Sequence, residues 1–246
     1  MYKSTHSFSH INNKHRVASF SLFAILLTLF FLLTACGETT NIPDSKQLLQ
    51  QAQDAMKQVN SYHFNLTTDH PGNASGADIQ IQNADGDVLA PDKIQAKGTV
   101  NLQGFTAQVN IIAIGQNQYY TDPLTGKWTP ISSVVDPHKL ADPQAGVGAL
   151  LGNIQNPGTA TDSSVDGQSC WSIEGQLSTQ YIAGIIGSAQ PTNPTVKTKV
   201  CIGKSDHRPY QLVINGVVVQ SDTAQTTRTI KFSKFNESIT IQAPQI

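Results

Sequence analysis

The side chains that could do acid–base, metal or nucleophilic chemistry are scattered along this chain. The last four of its seven histidines are His63, His70, His138 and His207, and each falls in a polar strand position or a loop. None pairs into a His-x-x-x-His metal motif, and the sequence has neither a Gly-rich phosphate loop nor a Gly-x-Ser-x-Gly nucleophile elbow. We therefore expect solvated histidines and no catalytic residue, cofactor or metal.

Two groups of carboxylates could be metal ligands or structural residues. Asp85 and Asp87 flank a glycine, as in a calcium loop, but no further oxygen ligands follow, so the pattern favours a turn. Asp136 and Asp142 each precede a proline, which is typical of a helix start with Asp as the cap and proline at the first position. Neither group indicates an enzyme, and we expect none.

The cysteine at position 36 has a different chemical role. The N-terminal stretch is purely cationic, with Lys3, Lys14 and Arg16, and an apolar run follows over residues 17–33. This is the layout of a secretory signal, and the run is short for a stable bilayer span. It ends in Leu33-Thr34-Ala35-Cys36-Gly37, which resembles the lipobox of bacterial lipoproteins, where the cysteine thiolate takes up diacylglycerol.

Three segments follow from this prediction. They are a signal peptide over residues 1–35, a lipidated tether over residues 36–44 and a single domain over residues 45–246. Acyl chains such as palmitate on Cys36 would hold the protein at the extracytoplasmic face of the cell membrane. The alternative is an uncleaved signal anchor in which the cysteine is incidental.

Two further cysteines, Cys170 and Cys201, follow Cys36. An exported protein meets oxidising conditions, which favours a disulfide over free thiols. A metal site would need other ligands at suitable spacing, and none stands nearby. Strand alternation puts both cysteines on the wetter face of their strands, where Cys201 accompanies Lys197 and Lys199, so a bridge between neighbouring strands would leave the apolar face undisturbed.

Bulk composition limits the partners of the protein. The formal net charge is −1 and only 13% of the residues are charged, so electrostatics indicates neither a nucleic acid nor an anionic membrane surface as a partner. The chain after residue 35 is long enough to bury a substantial core.

Hydrophobic periodicity predicts the helices and strands that position these residues. Residues 45–60 have the apolar spacing of an amphipathic helix, capped by Ser45 or Asp44. Strict alternation then predicts strands, with a hairpin turn at Gln103-Gly104 and another at Asp166-Gly167. The predicted strands cover approximately residues 62–67, 79–81, 94–102, 105–113, 119–120, 164–165, 169–177, 196–202, 209–220 and 226–241.

Helices are expected only at intervals between these strands. The sequence predicts a long loop over residues 121–158, with one or two short helices around Val147 and Ile154. It predicts a helix over residues 178–187, capped by Ser178. Turns between neighbouring strands imply antiparallel pairing. The class is therefore α+β, a large antiparallel sheet with a few helices on one face. These helices either complete an ordinary core or leave an apolar pocket, and the pattern alone favours the core.

An ordered set of segments resembles the LppX/LprA/LprF/LprG lipoprotein family of actinobacteria. The leading segment is Asp136-Pro137-His138-Lys139-Leu140-Ala141-Asp142-Pro143-Gln144-Ala145-Gly146-Val147-Gly148-Ala149-Leu150-Leu151. The others are Ser61-Tyr62-His63-Phe64, Gly115 through Tyr120 followed by Trp128, Val165-Asp166-Gly167, Trp171-Ser172-Ile173-Glu174-Gly175, and Asp206-His207-Arg208-Pro209-Tyr210-Gln211-Leu212. The resemblance covers about residues 44–241, and it departs at Cys201, where the family often has a bulky aromatic residue.

The resemblance implies a curved half-barrel sheet with helices on its concave side, enclosing a hydrophobic cavity for a membrane lipid or glycolipid. The ligand would be carried within the cell envelope by a monomer without covalent catalysis, with an envelope transporter as a candidate partner. The apolar-face positions expected to line the cavity are Val100, Leu102, Val109, Ile111, Val147, Leu150, Leu151, Ile154, Ile182, Ile185 and Ile186. The alternative function is that of a non-enzymatic sensor or scaffold lipoprotein without a lipid cavity, and an enzyme on the same scaffold comes third.

Overall fold

The computed structural model describes most of the chain after residue 40. The described ranges are 41–73, 79–102, 104–131, 137–142, 146–186 and 194–246, without the side chains of residues 79, 137, 138 and 183–186. Cys36, the predicted signal peptide and most of the predicted tether lie outside these ranges. Residues Ile42–Ile246 form one compact unit. In the described part of the chain, no helix is both long and apolar enough to span a membrane.

The first helix, α1, covers Ser45–Met56. Asp44 caps it, since its side chain accepts a hydrogen bond from the backbone N–H of Gln47 at 2.9 Å. Leu48, Leu49 and Ala52 are buried on one side of the helix, as their spacing predicts. The helix ends four residues before the predicted limit at residue 60. The backbone N–H groups that follow bond to the carbonyl three residues earlier, as Val59 does to Met56, and this tighter pattern ends the α-helix.

Eleven strands follow within the described ranges, all in one sheet with antiparallel pairing. Their bounds are β1 Ser61–Asp69, β2 Ile79–Leu89, β3 Lys93–Leu102, β4 Phe105–Ile114, β5 Asn117–Thr121, β6 Trp128–Pro130, β7 Thr161–Val165, β8 Gln168–Ser178, β9 Thr195–Gly203, β10 Pro209–Asn215 and β11 Thr227–Ser233. The β7–β8 hairpin turns at Asp166 and Gly167, whose φ values of 49° and 83° are those of a tight two-residue turn.

The strand order is β6-β5-β4-β3-β2-β1-β11-β10-β9-β8-β7. The first six strands form one meander and the last five form another. The two meanders join where β1 pairs with β11, with Phe64 opposite Phe232 and Leu66 opposite Ile230. The sheet therefore stays open, with β6 and β7 as its edges.

The described part of the chain also forms three shorter helices, which are α2 Pro137–Ala141, α3 Val147–Gly152 and α4 Thr179–Ile186. Helix α1 packs against α3, α2 against β2 and β3, and α4 against β8. Their buried side chains form one hydrophobic cluster with one face of the sheet, called the inner face below, which carries Tyr62, Phe64 and Leu66. The predicted α+β class, a large antiparallel sheet with a few helices on one side, is confirmed.

One predicted loop and two predicted strand ends are wrong. The long loop predicted over residues 121–158 contains a strand, β6, in addition to two helices. Strand β10 stops at Asn215, because Gly216 takes a φ of 127°, and β11 stops at Ser233, because Lys234 takes a φ of 52°. A positive φ removes the backbone from the extended region that a ladder needs.

The turn predicted at Asp85 and Asp87 is also wrong, because both residues lie inside β2. Gly86 stands between them on the inner face, opposite Ala96 of β3. A Cβ added to Gly86 would lie 2.8 Å from the Cβ of Ala96, which is closer than real side chains come. The glycine is therefore required by close strand packing and does not mark a turn.

A disulfide joins Cys170 of β8 to Cys201 of β9, with their Cα atoms 5.5 Å apart. Their strands are neighbours, and Ser172 is the residue directly opposite Cys201. Both half-cystines are buried, with 0% and 4% of their surface exposed, although Lys197 and Lys199 on the same side of β9 are exposed. The predicted bridge is therefore present on the predicted, lysine-bearing face, although the bridge itself is shielded from solvent.

Arg228 and Asp222 form a buried ion pair beside the seam between the meanders. Two hydrogen bonds of 2.7 Å join the guanidinium of Arg228 to the two carboxylate oxygens of Asp222. The same carboxylate accepts the backbone N–H groups of Val218 and Val219. The pair thereby fixes the connection between β10 and β11.

Candidate binding cavity

The inner face of the first meander is recessed at its centre because small residues align there across the strands. One row runs from Phe232 through Phe64, Gly86 and Ala96 to Ile111. Bulky side chains stand at both ends of this row, and a glycine and an alanine stand in the middle. Side chains of that size cannot fill the space between the sheet and the helices above it.

The adjacent row repeats the pattern. It runs from Ile230 through Leu66, Ala84 and Gly98 to Val109. Two neighbouring rows with small residues at the same strands extend the recess along β2 and β3. Strand alternation keeps these small residues on the inner face.

A cavity of about 850 Å³, including the open space at its mouth, lies over this recess. Its walls are apolar throughout, apart from one tyrosine hydroxyl. The lining residues are Tyr62, Phe64, Leu66, Ile81, Ala84, Ile94, Ala96, Ile111, Leu140, Val147, Leu150, Ile230 and Phe232. Leu140 comes from α2, and Val147 and Leu150 come from α3, so the two short helices cover the cavity while β1–β4 and β11 form its floor.

The hydroxyl of Tyr62 does not make the cavity polar, because it donates a hydrogen bond to the backbone carbonyl of Leu140 at 3.0 Å. Burial raises the pKa of the Tyr62 hydroxyl, so the group stays neutral and remains a donor. The ring of Tyr62 also packs edge-on against Phe232, with centroids 5.9 Å apart. Tyr62 thus connects the sheet to the helix that covers the cavity.

A second cavity of about 680 Å³, again with its open space included, lies further along the inner face towards strand β5. Its lining residues are Val100, Leu102, Val109, Ile111, Gln118, Tyr120, Pro123 and Ile131. Ile111 lines both cavities, and its side chain is therefore the wall that they share.

The structure divides the predicted lining residues into three groups. Ile111, Val147 and Leu150 line the first cavity, and Val100, Leu102, Val109 and Ile111 line the second. Leu151, Ile154 and Ile182 belong to the packed core, with at most 7% of their surface exposed. The side chains of Ile185 and Ile186 lie outside the described residues.

Four lining residues on the seam between β1 and β11 are absent from the predicted set. Phe64 and Leu66 of β1, and Ile230 and Phe232 of β11, form one wall of the first cavity. Alternation marks the apolar face of both strands, so that signal was present in the sequence. The missing information was the pairing of strands that lie at opposite ends of the domain sequence.

The chemistry available in these cavities is the enclosure of apolar groups. Neither lining contains a histidine, cysteine, serine, lysine or carboxylate. Over the described ranges, no three His, Cys, Asp or Glu side chains come together as a metal site would require. His63, predicted to be solvated, is instead 19% exposed and bonded through its ring to Asp87 at 2.8 Å, on the opposite face of the sheet.

Comparisons of the sequence with known proteins identify a family. The model of the LppX_LprAFG lipoprotein family matches residues 44–241. The lipoarabinomannan carrier protein LprG of Mycobacterium leprae is 24% identical, over 95% of this chain and 98% of its own. Lipoprotein LprA of Mycobacterium tuberculosis is 26% identical, over 84% of each chain.

Solved structures show the same fold. The crystal structure of LprF from Mycobacterium bovis superposes with a TM-score of 0.66 at 19% identity, covering 83% of this chain and 99% of that one. The crystal structure of lipoprotein LppX from Mycobacterium tuberculosis gives a TM-score of 0.57 at 22% identity, covering 80% and 98%. The open antiparallel sheet with few helices is common to all three proteins.

Proposed function

The chain belongs to the LppX_LprAFG lipoprotein family, and we propose that it is a membrane-anchored carrier that holds the acyl chains of a lipid or glycolipid in the two cavities of its inner face. The observation that carries this proposal is the pair of apolar cavities on either side of Ile111. Their walls are predominantly apolar, as in most small-molecule binding pockets.

Acyl chains match the walls of these cavities in polarity. The first cavity offers no unpaired polar group, since its single hydroxyl is bonded to Leu140. Each buried CH₂ contributes about 0.8 kcal/mol to binding, so even part of one chain supplies substantial affinity. Two cavities that meet at one side chain suit a ligand with more than one chain.

The class of ligand is supported by the relatives. The LprG protein of Mycobacterium leprae is named as a carrier of lipoarabinomannan. By analogy, we propose an acylated lipid or glycolipid as the ligand, carried by a monomer within the cell envelope, with a transporter in the membrane as a candidate partner. A carrier needs no covalent step, which agrees with the absence of reactive side chains from the two cavity linings.

The anchor is the second part of the proposal. Cleavage after residue 35 and lipidation of Cys36 would attach the domain, residues 45–246, to the extracytoplasmic face of the membrane. The tether over residues 36–44 spans at most roughly 30 Å, at about 3.5 Å per extended residue. The cavities would therefore stay within a short distance of the bilayer that supplies or receives the lipid.

The experiment that tests the carrier function is lipid analysis of the full chain purified from a bacterial membrane. We expect co-purified acyl lipid, which native mass spectrometry would detect, and its loss in the variant Ile111→Trp. The added indole would occupy both cavities at their shared wall, and binding of a fluorescent fatty acid should weaken about tenfold or more, equivalent to about 1.4 kcal/mol.

The matched control is Ile112→Trp, because Ile112 is the next residue on the same strand and points to the opposite face. This variant should keep both the co-purified lipid and the affinity for the fatty acid. A wild-type chain that carries no lipid and takes up none from vesicles would contradict the proposal and favour a sensor or scaffold lipoprotein.

A further inference from the structure

The outer face of the first meander, opposite the cavities, carries two rows of side chains across the strands, polar except for one apolar residue at the end of each row. The first row begins with Asp85 of β2, which stands opposite Lys97 of β3, and Lys97 stands opposite Asn110 of β4. The backbone N–H of Asn110 bonds the hydroxyl of Thr121, and Thr121 stands opposite Trp128 on the edge strand β6. The row thus ends at an indole.

The second row runs parallel to the first, one alternation further along the strands. Asp87 stands opposite Gln95, and Gln95 stands opposite Ile112. Residues Gly86, Ala96 and Ile111 lie between the two rows. Gly86 has no side chain, and the side chains of Ala96 and Ile111 point to the inner face. On the outer face these three residues therefore present only backbone.

Together the two rows enclose a trough of about 620 Å³, with its open space included. Its lining residues are Asp85, Gly86, Asp87, Gln95, Ala96, Lys97, Asn110, Ile111, Ile112 and Trp128. The trough crosses the sheet from β2 to β6, which is about 19 Å at a strand spacing of about 4.8 Å. Its shape suits an extended, linear ligand.

One end of the trough is held in place by hydrogen bonds. Asp87 accepts the side-chain N–H of Gln95 at 2.9 Å and is bonded to the ring of His63 at 2.8 Å. The second ring nitrogen of His63 lies 3.2 Å from Asp85. Burial raises the pKa of Asp87, but the hydrogen bonds from Gln95 and His63 outweigh it and lower the pKa overall, so this carboxylate is charged and fixed.

The middle of the trough has two polar atoms that can bond to a ligand, one on Asp85 and one on Lys97. Asp85 and Lys97 are direct cross-strand neighbours without an ion pair between them. One carboxylate oxygen of Asp85, Oδ2, is bonded to the ring of His63 and to the side-chain amide of Asn65, both at 3.2 Å, while its Oδ1 makes no bond within the described residues. Both side chains are exposed. The ammonium of Lys97 and the second carboxylate oxygen of Asp85 can therefore each bond to a ligand placed between the rows.

We propose that this trough binds a linear oligosaccharide. Sugar rings combine apolar C–H faces with a rim of hydroxyl groups. Trp128 and Ile112 offer apolar surface for the ring faces, while the carboxylate, amide and ammonium groups of Asp85, Asn110 and Lys97 can pair with hydroxyls. Two carboxylates disfavour a polyanion, and the polar walls disfavour an acyl chain. The site lies on the face opposite the cavities, so it does not depend on the proposed lipid binding.

The test is a calorimetric titration of the full chain with maltotetraose, cellotetraose and mannotetraose. The detergent that keeps the anchored protein in solution must have no sugar headgroup, because such a headgroup could compete. We expect at least one of the three to bind. In the variant Trp171→Phe, Trp128 is the single remaining tryptophan, and its fluorescence should change on addition of the same sugar.

Two variants locate the site. Trp128→Ala should weaken sugar binding about tenfold or more, which corresponds to about 1.4 kcal/mol. Lys97→Met should also weaken it, and this exposed side chain makes no hydrogen bond or ion pair within the described residues, so its loss leaves the fold intact. The control Gln176→Ala, on β8 of the other meander, should bind as the wild type does.

The outcomes separate this site from the lipid cavities. Lys97→Met should lose the sugar and keep the fatty acid, because Lys97 lines the trough and neither cavity. The proposal is overturned if none of the three sugars binds, or if Trp128→Ala and Lys97→Met bind as tightly as the wild type.

Discussion

At the scale of single residues, Tyr62 shows how one polar atom can be placed in an apolar cavity. Its ring lines the cavity, and its hydroxyl satisfies the carbonyl of Leu140 on the covering helix α2. Without this bond the carbonyl would lose a partner, which costs about 1–3 kcal/mol for a buried group. The residue therefore serves both the packing of the cavity and the position of the helix.

The raised pKa of Tyr62 makes stability depend on alkaline pH. Above the ordinary tyrosine pKa of about 10, the unfolded chain releases this proton while the folded chain keeps it, so the free energy of unfolding falls as pH rises. One such proton contributes a slope of about 1.4 kcal/mol per pH unit.

We predict that Tyr62→Phe reduces this alkaline slope, as measured by urea denaturation between pH 9 and 11. Burial and the neighbouring Asp206 raise the pKa of Tyr210 too, so a smaller slope should remain in the variant. An unchanged slope in Tyr62→Phe would contradict the assignment, and the variant Tyr210→Phe serves as the comparison.

At the scale of single residues, small side chains are also important, because of the space that they leave empty. Gly86, Ala96, Ala84 and Gly98 leave space on the inner face that larger residues would fill. Gly86 cannot be replaced by a larger residue, since an added Cβ would meet the backbone carbonyl of Gln95 and the side chain of Ala96. The recess therefore follows from the close packing of β2 against β3 and does not result from one missing side chain.

At the scale of elements, the disulfide ties β8 to β9 across a loop of 31 residues. That loop contains α4 and the residues that connect it to β9. A cross-link of this length restricts the unfolded chain and stabilises the fold by about 3 kcal/mol.

We predict that reduction of this bond lowers the free energy of unfolding by about 3 kcal/mol, measured by urea denaturation with and without a phosphine reductant. The variant in which Cys170 and Cys201 are both alanine should be equally destabilised and should not respond to the reductant. If the wild type and this variant have the same denaturation midpoint under oxidising conditions, the bond contributes nothing to stability.

At the scale of the whole molecule, two meanders share one seam, and both cavities lie in the first meander or at the seam. The wall formed by Ile230 and Phe232 belongs to the second meander, so the first cavity is complete only when β11 pairs with β1. A ligand in this cavity contacts both parts of the sheet. Binding should therefore stabilise the domain as a unit.

We predict that a diacyl phospholipid raises the midpoint of thermal unfolding of the delipidated chain. At a free concentration of 100 times Kd, the stabilisation is about 2.7 kcal/mol, which corresponds to roughly 5–10 °C for a domain of this size. Differential scanning calorimetry would measure the shift. Ile111→Trp should show little of it, and an equal shift in that variant would argue that the lipid binds elsewhere.

Local features of the chain were readable from its sequence alone. The apolar spacing in Ser45–Met56 indicated α1, and strict alternation indicated the strands and their apolar faces. The pair Asp166 and Gly167 indicated the tight β7–β8 turn. Each of these signals depends on residues a few positions apart, and hydrophobic burial and backbone sterics act on them wherever the chain folds.

The tertiary structure alone decided the features that depend on distant pairing. The seam between β1 and β11, the alignment of Gly86 with Ala96, and the division of predicted lining residues between two cavities and the core all require the register of strands across the sheet. Alternation predicts the face of the sheet to which a side chain points, but it does not predict which residue of the adjacent strand lies beside it. Since a cavity is the space left when neighbours fail to fill it, its position and size follow from those neighbours.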